Sequence, residues 1–351
     1  RDANRGTPLR MVSILRQIKK EHDLSVCCID APDDLIGVWV PYLTRGLLHR
    51  ILFLYRFVRL QKIQIILTAT ETGMTLPVIL KILSPRLRIM VDLHSVLVEE
   101  MGGIARWYKY IIDKKIRALL YFYDHVFTVS YKLKTRYSST IDHTTVIYGG
   151  VDTTNIAQPA LSSGNIFTIG YMGNARFYQG LLHLFEAARI LKKTHALSFQ
   201  LQLVISDDFA YVQSMIKTHD LYDVTHLSKS MNHEDALRYM ASVDVFVIPR
   251  PKSPITEYAF PSKLSEYLLL GRPVIATDVG PIPELVAQGC PCCVIDANDL
   301  SHNLAKKILE LANMSPIARH TLGESGFRFA KVHLSWDFLG RKVNQIIANL
   351  D

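Results

Sequence analysis

Cysteine is scarce in this 351-residue chain: five residues in two groups, Cys27-Cys28 and Cys290, Cys292, Cys293. Cys290 and Cys293 have C-x-x-C spacing, but the second pair that a four-cysteine zinc site needs is absent. Cys27 and Cys28 lie inside an apolar, strand-like run. The thiols therefore read as core residues of a protein from a reducing compartment, and a disulfide scaffold is excluded. Long apolar runs are also missing. No uncharged stretch approaches the roughly 18 residues of a membrane span, and the most apolar one, Leu47 to Leu60, is broken by arginines. No secretory leader is visible, and the first residue is Arg rather than Met. The sequence contains no Walker A lysine motif, no HExxH and no G-x-S-x-G, so three large groups of enzymes lose their signatures. It contains no internal repeat and no low-complexity segment.

What is present is an apolar, basic chain. Hydrophobic residues make up 49% and charged residues 21%, ample for buried cores, and the formal charge is +8. That charge favours an anionic partner. Continuous apolar runs alternate with helical periodicity: Leu24–Asp30, Ile63–Thr70, Leu87–His94, His125–Ser130 and Thr144–Gly149, then Ile166–Gly173, Phe199–Ser206, Val224–Leu227, Asp244–Pro249, Pro273–Asp278 and Cys292–Asp296. Runs of this kind are parallel strands covered on both faces, and they predict doubly wound α/β domains. Residues 152–164 are polar, carry Pro and Gly and lack periodicity, as an interdomain linker does. The chain opens with Thr7 as the N-cap and Pro8 as the first residue of a helix. A doubly wound domain starts one strand earlier, so its first strand is expected to be missing from this sequence. Two such domains are expected to face each other across a cleft, with ligands at the carboxyl ends of the strands.

The densest chemistry lies between Val247 and Asp278. A strand ends at Pro249. A loop with Arg250 and Lys252 follows, and Pro261-Ser262-Lys263 opens a helix that stops at Gly271. A helix start beside basic residues suits an anion such as a diphosphate. Glu266, one turn further in, is placed to accept hydrogen bonds from ribose hydroxyls.

PSKLSEYLLLGRPVIATDVGPIPELV (261–286) resembles the C-domain signature of glycosyltransferase family four, in the subgroup with a PSK-x-x-EY helix. DHVFTVS (124–130), VIYGGVD (146–152), GYMGNARFYQGLLHLFEAARIL (170–191) and SVDVFVIPR (242–250) resemble that family's other segments in the same order. Trp336 and the last helix resemble its segment that crosses back onto the N-terminal domain. The resemblance implies the GT-B fold and a retaining, metal-independent transferase. It divides the chain into an acceptor domain over residues 1–160, completed by 334–351, and a nucleotide-sugar donor domain over 161–333. No cofactor is expected. The absence of any Asp-x-Asp agrees with the absence of a metal, and Ser206-Asp207-Asp208 reads as a solvated loop.

Carried over residue by residue, the resemblance implies catalytic roles for His94, Glu257, Arg176 and Lys263. It implies substrate contacts from Gly6, Gly173, Asn174, Gln179, Arg250, Tyr258, Phe260, Pro261, Ser262 and Glu266. Glu266 matches the second glutamate of the family's E-x7-E motif. Tyr258 stands where the first belongs, with Glu257 one place early, so a bulge would be needed to bring Glu257 in. Asn174 and Gln179 stand where the family places Arg and Lys, which leaves Arg176, Arg250 and Lys263 as substitute cations.

Breaking the sugar–phosphate bond leaves extra charge on a diphosphate. Cations and N–H groups aimed at it are then the main catalytic requirement, together with an acceptor hydroxyl held at the anomeric carbon. The expected partners are a UDP- or GDP-sugar and a glycan or lipid-linked acceptor, with no nucleic acid. Arg45, His49, Arg56 and Arg59, with Leu52, form one stripe of a helix over 44–60. Arg106 to Lys115 adds a second basic-aromatic stretch. Both suit an anionic membrane surface, and the expected location is cytoplasmic or peripheral on the cytoplasmic membrane face. Two alternatives stay open at this level: a catalytically silent subunit of the same fold, motivated by Asn174, Gln179 and Tyr258, and another enzyme on that fold, such as a sugar-nucleotide epimerase.

Overall fold

The computed structural model describes residues 6–23, 46–154, 166–195 and 197–350. They form two compact units. The first comprises the chain to Gly149, the short segment Tyr258–Phe260 and Trp336 onward, and the second comprises Gly150–Glu257 and Pro261–Ser335.

In the first unit, β1 (Ile65–Thr68), β2 (Arg88–Leu93), β3 (His125–Thr128) and β4 (Thr144–Val146) form a parallel sheet in that order. Its interior strands are buried almost end to end because helices cover both faces. On one face the helices Gly6–Lys19 and Trp336–Ala348 pack together. Ile14, Ile18, Leu339, Val343 and Ile347 close over Met90, Phe127 and Ile147. Gly340 is obligatory in that contact, because a Cβ there would overlap the Gln17 side chain. The other face buries Val58, Met74, Val78, Ile116 and Leu120 against the same sheet.

In the second unit, β5 (Phe167–Gly173), β6 (Phe199–Ile205), β7 (Thr225–Lys229), β8 (Val245–Ile248), β9 (Val274–Thr277) and β10 (Cys293–Ile295) form a parallel sheet. The order is β10-β9-β8-β5-β6-β7. From β5 the chain winds outward through β6 and β7, then returns to β8 on the other side. The switch point therefore falls between β5 and β8, where a doubly wound sheet opens a crevice at its carboxyl edge.

The ten strands among the described residues all overlap predicted runs. The expected strand Leu24–Asp30, Cys27, Cys28 and Arg45 lie outside the described residues. The first helix begins at Gly6 rather than with Thr7 as its cap. Pro8 still fits, because the first turn needs no intrahelical N–H. The helix over 44–60 is seen as Leu47–Leu60. Of the expected linker, Asp152 folds back on Thr154 through its carboxylate, and the part beyond Thr154 lies outside the described residues. Among the described cysteines, Cys290 is buried, and burial pushes its thiol up to about 12. That is the behaviour of a core residue rather than a redox centre.

Candidate active site

At the switch point of the second unit, Gly173 ends β5 with φ +140° and Gly180 begins the next helix with φ +77°. Both conformations favour glycine, and close packing reinforces each. A Cβ at Gly180 would overlap the Pro249 carbonyl oxygen, and one at Gly173 would overlap the Lys263 side chain. Lys263, the first residue of the seven-residue helix Lys263–Leu269, therefore lies across Gly173 with its stem where a side chain would stand. Its Nζ donates to Gln179 Oε1 at 2.7 Å and to Tyr171 Oη at 3.2 Å, and lies 4.8 Å from the Tyr171 ring centre.

This contact bears on the departures at positions 174 and 179. Lys263 Nζ reaches the side chain of the residue that stands where the family's lysine is expected. Burial, reinforced by the Arg250 charge, pulls Lys263 down to about 7, while Glu266 and Asp207 work the other way. Arg250 follows β8 and is only 5% exposed, and burial lowers it to about 10. Its carbonyl accepts the Thr277 hydroxyl at 2.7 Å. The Arg250 charge thus acts against a charge on Lys263, a cost that an anion would relieve.

Arg176 is different. It is exposed on the loop, 3.9 Å from Asp207. Asp207 accepts the Ala175 N–H at 2.8 Å, and Asn174 accepts the Tyr171 hydroxyl on its carbonyl at 2.6 Å. Asn174 is thus tied into the loop, with Arg176 at its rim. Tyr267, the tyrosine of PSK-x-x-EY, bridges the β5 backbone. Its hydroxyl accepts from Met172 N–H at 2.7 Å and donates to Met172 carbonyl at 3.1 Å, while its ring stacks on Phe246 at 4.1 Å.

Pro261 is buried, Ser262 is exposed at the helix start, and the helix itself begins at Lys263 rather than Pro261. Residues 254–258 form a short helix, not a bulged strand. Glu257 is half-buried there, and its N–H bonds Ser253. Glu257 and Tyr258 lie about 100° apart around that turn, so no bulge moves one into the other's place. Tyr258 and Phe260 pack within the first unit. Tyr258 lies under the Arg136 guanidinium at 5.3 Å and accepts the Ser130 hydroxyl on its carbonyl, and Phe260 covers Gly149 and Tyr148. Gly6 starts the first helix of that unit.

The first unit gathers its polar residues at the carboxyl ends of β1 and β2. His94 Nε2 lies 2.7 Å from Asp92 Oδ2. Asp92 is fully buried and is gripped in a fork by Arg10, at 2.9 and 2.8 Å. Arg10 also donates to the Tyr148 carbonyl at 2.7 Å. Burial works to raise Asp92, but Arg10 and His94 overcome it and hold the carboxyl well below the usual range. Glu71 lies nearby, only 9% exposed, and burial raises it to about 7. Sequence reasoning missed Arg10, Asp92, Glu71, Tyr171 and Tyr267. Tyr267 could have been found in the EY string and Asp92 beside His94, whereas nothing around Glu71 marks it. Among the described residues, no three His, Cys, Asp or Glu side chains are gathered as metal ligands.

Residues 152–329 match the sequence profile of the glycosyl transferases group 1 family, which is more than half of the chain. The chain belongs to that family, and it is a glycosyltransferase with the GT-B fold. Among solved structures, HepE of Anabaena in complex with UDP superposes with a TM-score of 0.79 at 15% identity, over 98% of this chain and 96% of HepE. A glycosyltransferase from Rickettsia africae gives 0.77 at 14% identity, over 99% and 96%. The lipopolysaccharide outer core galactosyltransferase WaaB gives 0.72 at 10%, over 99% and 96%. At these identities the likeness concerns the fold. No curated protein matches the chain.

Proposed function

We propose that the second unit binds a nucleotide-diphosphate sugar, UDP being the first nucleotide to test, and that the enzyme passes a hexose to a glycan or lipid-linked acceptor with retention of configuration. One observation carries this reading. Lys263 crosses Gly173 to Gln179 beside buried Arg250, so two cations converge at the switch point of the donor sheet. HepE has been solved with UDP and with UDP-glucose, which supports the choice of nucleotide.

In this reading Lys263 and Arg250 take the charge that develops on the leaving diphosphate, and Arg176 closes on it from the rim. Glu266 accepts the ribose hydroxyls. Asn174, Gln179, Pro261 and Ser262 line the donor, and the first glutamate role is vacant. The acceptor attacks from the leaving-group face, and a phosphate oxygen takes its proton. His94, Tyr258, Phe260 and Gly6 belong to the acceptor side. No metal is needed, and the enzyme works at the cytoplasmic membrane face. The epimerase and silent-subunit readings lack a comparable observation, since the vacancy at 179 is met by Lys263.

A thermal-shift panel of UDP, GDP and ADP on wild type and Lys263→Gln tests the core of this. A ligand that binds only the folded protein raises its melting temperature by mass action. A shift with one nucleotide, lost in the variant, is expected. A folded protein that responds to none of them would overturn the proposal. Product stereochemistry by NMR and insensitivity to EDTA test retention and metal independence.

A further inference from the structure

Between β8 and β9 the chain leaves the second unit for three residues. It departs after Glu257, passes Tyr258–Phe260 through the first unit and re-enters at Pro261. Both aromatic rings of this segment pack against the first unit's core. The helix Tyr131–Tyr137 meets Tyr258 with both of its ends. Its N-cap Ser130 donates its hydroxyl to the Tyr258 carbonyl at 3.4 Å and accepts the Leu133 N–H at 3.1 Å. Near the other end, the Arg136 guanidinium lies 5.3 Å from the Tyr258 ring centre, within cation–π range. That guanidinium is itself fixed. Asp113 accepts from it at 3.0 Å and from Arg117 at 2.8 Å, and Arg117 donates to the Arg136 carbonyl at 3.1 Å. Two residues on, Phe260 comes so close to Gly149 that a Cβ there would stand 2.4 Å from the ring. Burial of two rings accounts for their leaving water. It does not call for a braced arginine, a hydroxyl on the carbonyl and a glycine beneath the second ring, which together fix where the segment sits.

The chain that follows is stiff. Pro261 is buried, and its ring fixes its φ. Ser262 already has helical dihedrals, φ −53° and ψ −30°, and the Pro261 carbonyl accepts the Leu264 N–H at 2.9 Å. Three residues separate Phe260 from Lys263, about 10 Å of chain at full stretch, and the helical turn shortens that. A displacement of Phe260 is therefore passed on to Lys263, whose ammonium reaches Gln179, rather than absorbed on the way.

We propose that Ser130, Arg136 and Gly149 form a seat for Tyr258–Phe260 and act through it as positioning residues for Lys263, so that donor binding in the second unit depends on residues of the first. What Lys263 binds rests on the proposed function, whereas the seating of Lys263 does not.

The Lys263 ammonium is followed without any ligand, by NMR of protein labelled at lysine 13Cε, its resonance assigned by its loss in Lys263→Gln. In wild type it is expected to titrate near 7, where burial holds it. In Gly149→Ala it is expected to titrate at higher pH, as the nitrogen leaves its buried place, and UDP binding by calorimetry is expected to weaken about tenfold, the loss of one good hydrogen bond. Gly149→Ala/Lys263→Gln is expected to bind UDP no more weakly than Lys263→Gln, since both changes remove the same contact. Gly340→Ala, which crowds Gln17 in the same unit, controls for lost stability and is expected to leave both readings at their wild-type values. If Gly149→Ala does not fold, Arg136→Ala takes its place, removing the cation over Tyr258 while Asp113 keeps Arg117. A Lys263 titration that the seat variants do not move would overturn the proposal, and so would additive losses in the double variant. A wild type that ignores UDP, with Lys263 still moving with its seat, sinks the donor reading alone.

Discussion

Lys263 and Gln179 meet at 2.7 Å, so moving the ammonium from one residue to the other leaves it nearly in place. Lys263→Gln should lower kcat by about 10²–10³, the usual cost of removing one preorganised donor from a developing charge. Adding Gln179→Lys to that variant should recover about tenfold or more, measured as nucleotide release in the presence of acceptor. A double variant no better than the single one would show that position 263 acts through its backbone or its stem. Glu71 leaves a mark of a different kind, on stability. Its proton is held from the ordinary 4.5 up to about 7, so the folded state binds more protons than the unfolded chain across that window. Stability contributed by this group is therefore present at acid pH and lost as pH rises through 7, on the order of 3 kcal/mol in all. Glu71→Gln should flatten that part of the curve of chemical-denaturation stability against pH.

The helix Lys263–Leu269 works as a hinge pin between two neighbours. Lys263 reaches the loop after β5, and Tyr267 clamps Met172 from both sides. Tyr267→Phe leaves the Phe246 stack but strands a buried N–H and carbonyl, and should cost about 1–3 kcal/mol. Circular dichroism melting measures that loss, and the variant's KM for donor should rise as the loop loosens. At this scale the sequence was most readable where one physical demand governs many residues. The ten strands announced themselves because each is buried on both faces, so that polar residues are excluded from runs such as Val245–Ile248 and Val274–Thr277. Their ends were less legible, since Thr7 and Pro261 both look like helix starts while the helices begin at Gly6 and Lys263. The PSK-x-x-EY string falls on the helix Lys263–Leu269. The partners of its Lys and Tyr come from β5, some 90 residues earlier, and spacing alone does not reveal pairings of that range. Glu71 was illegible for a related reason: an isolated acid in a polar turn looks solvated until β1 and β2 are set in register.

For the whole molecule, the formal charge of +8 gains meaning from where the exposed aromatics lie. In the first unit, the helix Arg106–Leu120 exposes Trp107 at 67%, together with Tyr108, Tyr110 and Ile111. Lys114 and Lys115 stand exposed on the same helix. The helix Leu47–Leu60 exposes His49, Leu52, Arg56 and Arg59, the described members of the stripe expected from sequence. No helix among the described residues is long and apolar enough to cross a membrane. Basic residues and interfacial aromatics together suit an anionic lipid surface. Flotation with phosphatidylglycerol vesicles should recover the protein at low salt and lose it at high salt, and Arg56→Glu/Arg59→Glu should lose it at both. Equal recovery with neutral phosphatidylcholine vesicles would remove the electrostatic part of the idea.

The helix Trp336–Ala348 has one more consequence, for how the chain is made. It covers Met90, Phe127 and Ile147 on a sheet synthesised long before it, while residues 150–335 emerge in between. On the ribosome the second unit can close as soon as its own residues are out. The first must wait with that oily face covered only in part, by Ile14 and Ile18 of its first helix, until the helix Trp336–Ala348 arrives. Truncation before Trp336 should therefore leave a nascent protein that chaperones retain, half of it finished and half of it still open to the crowd of the cell.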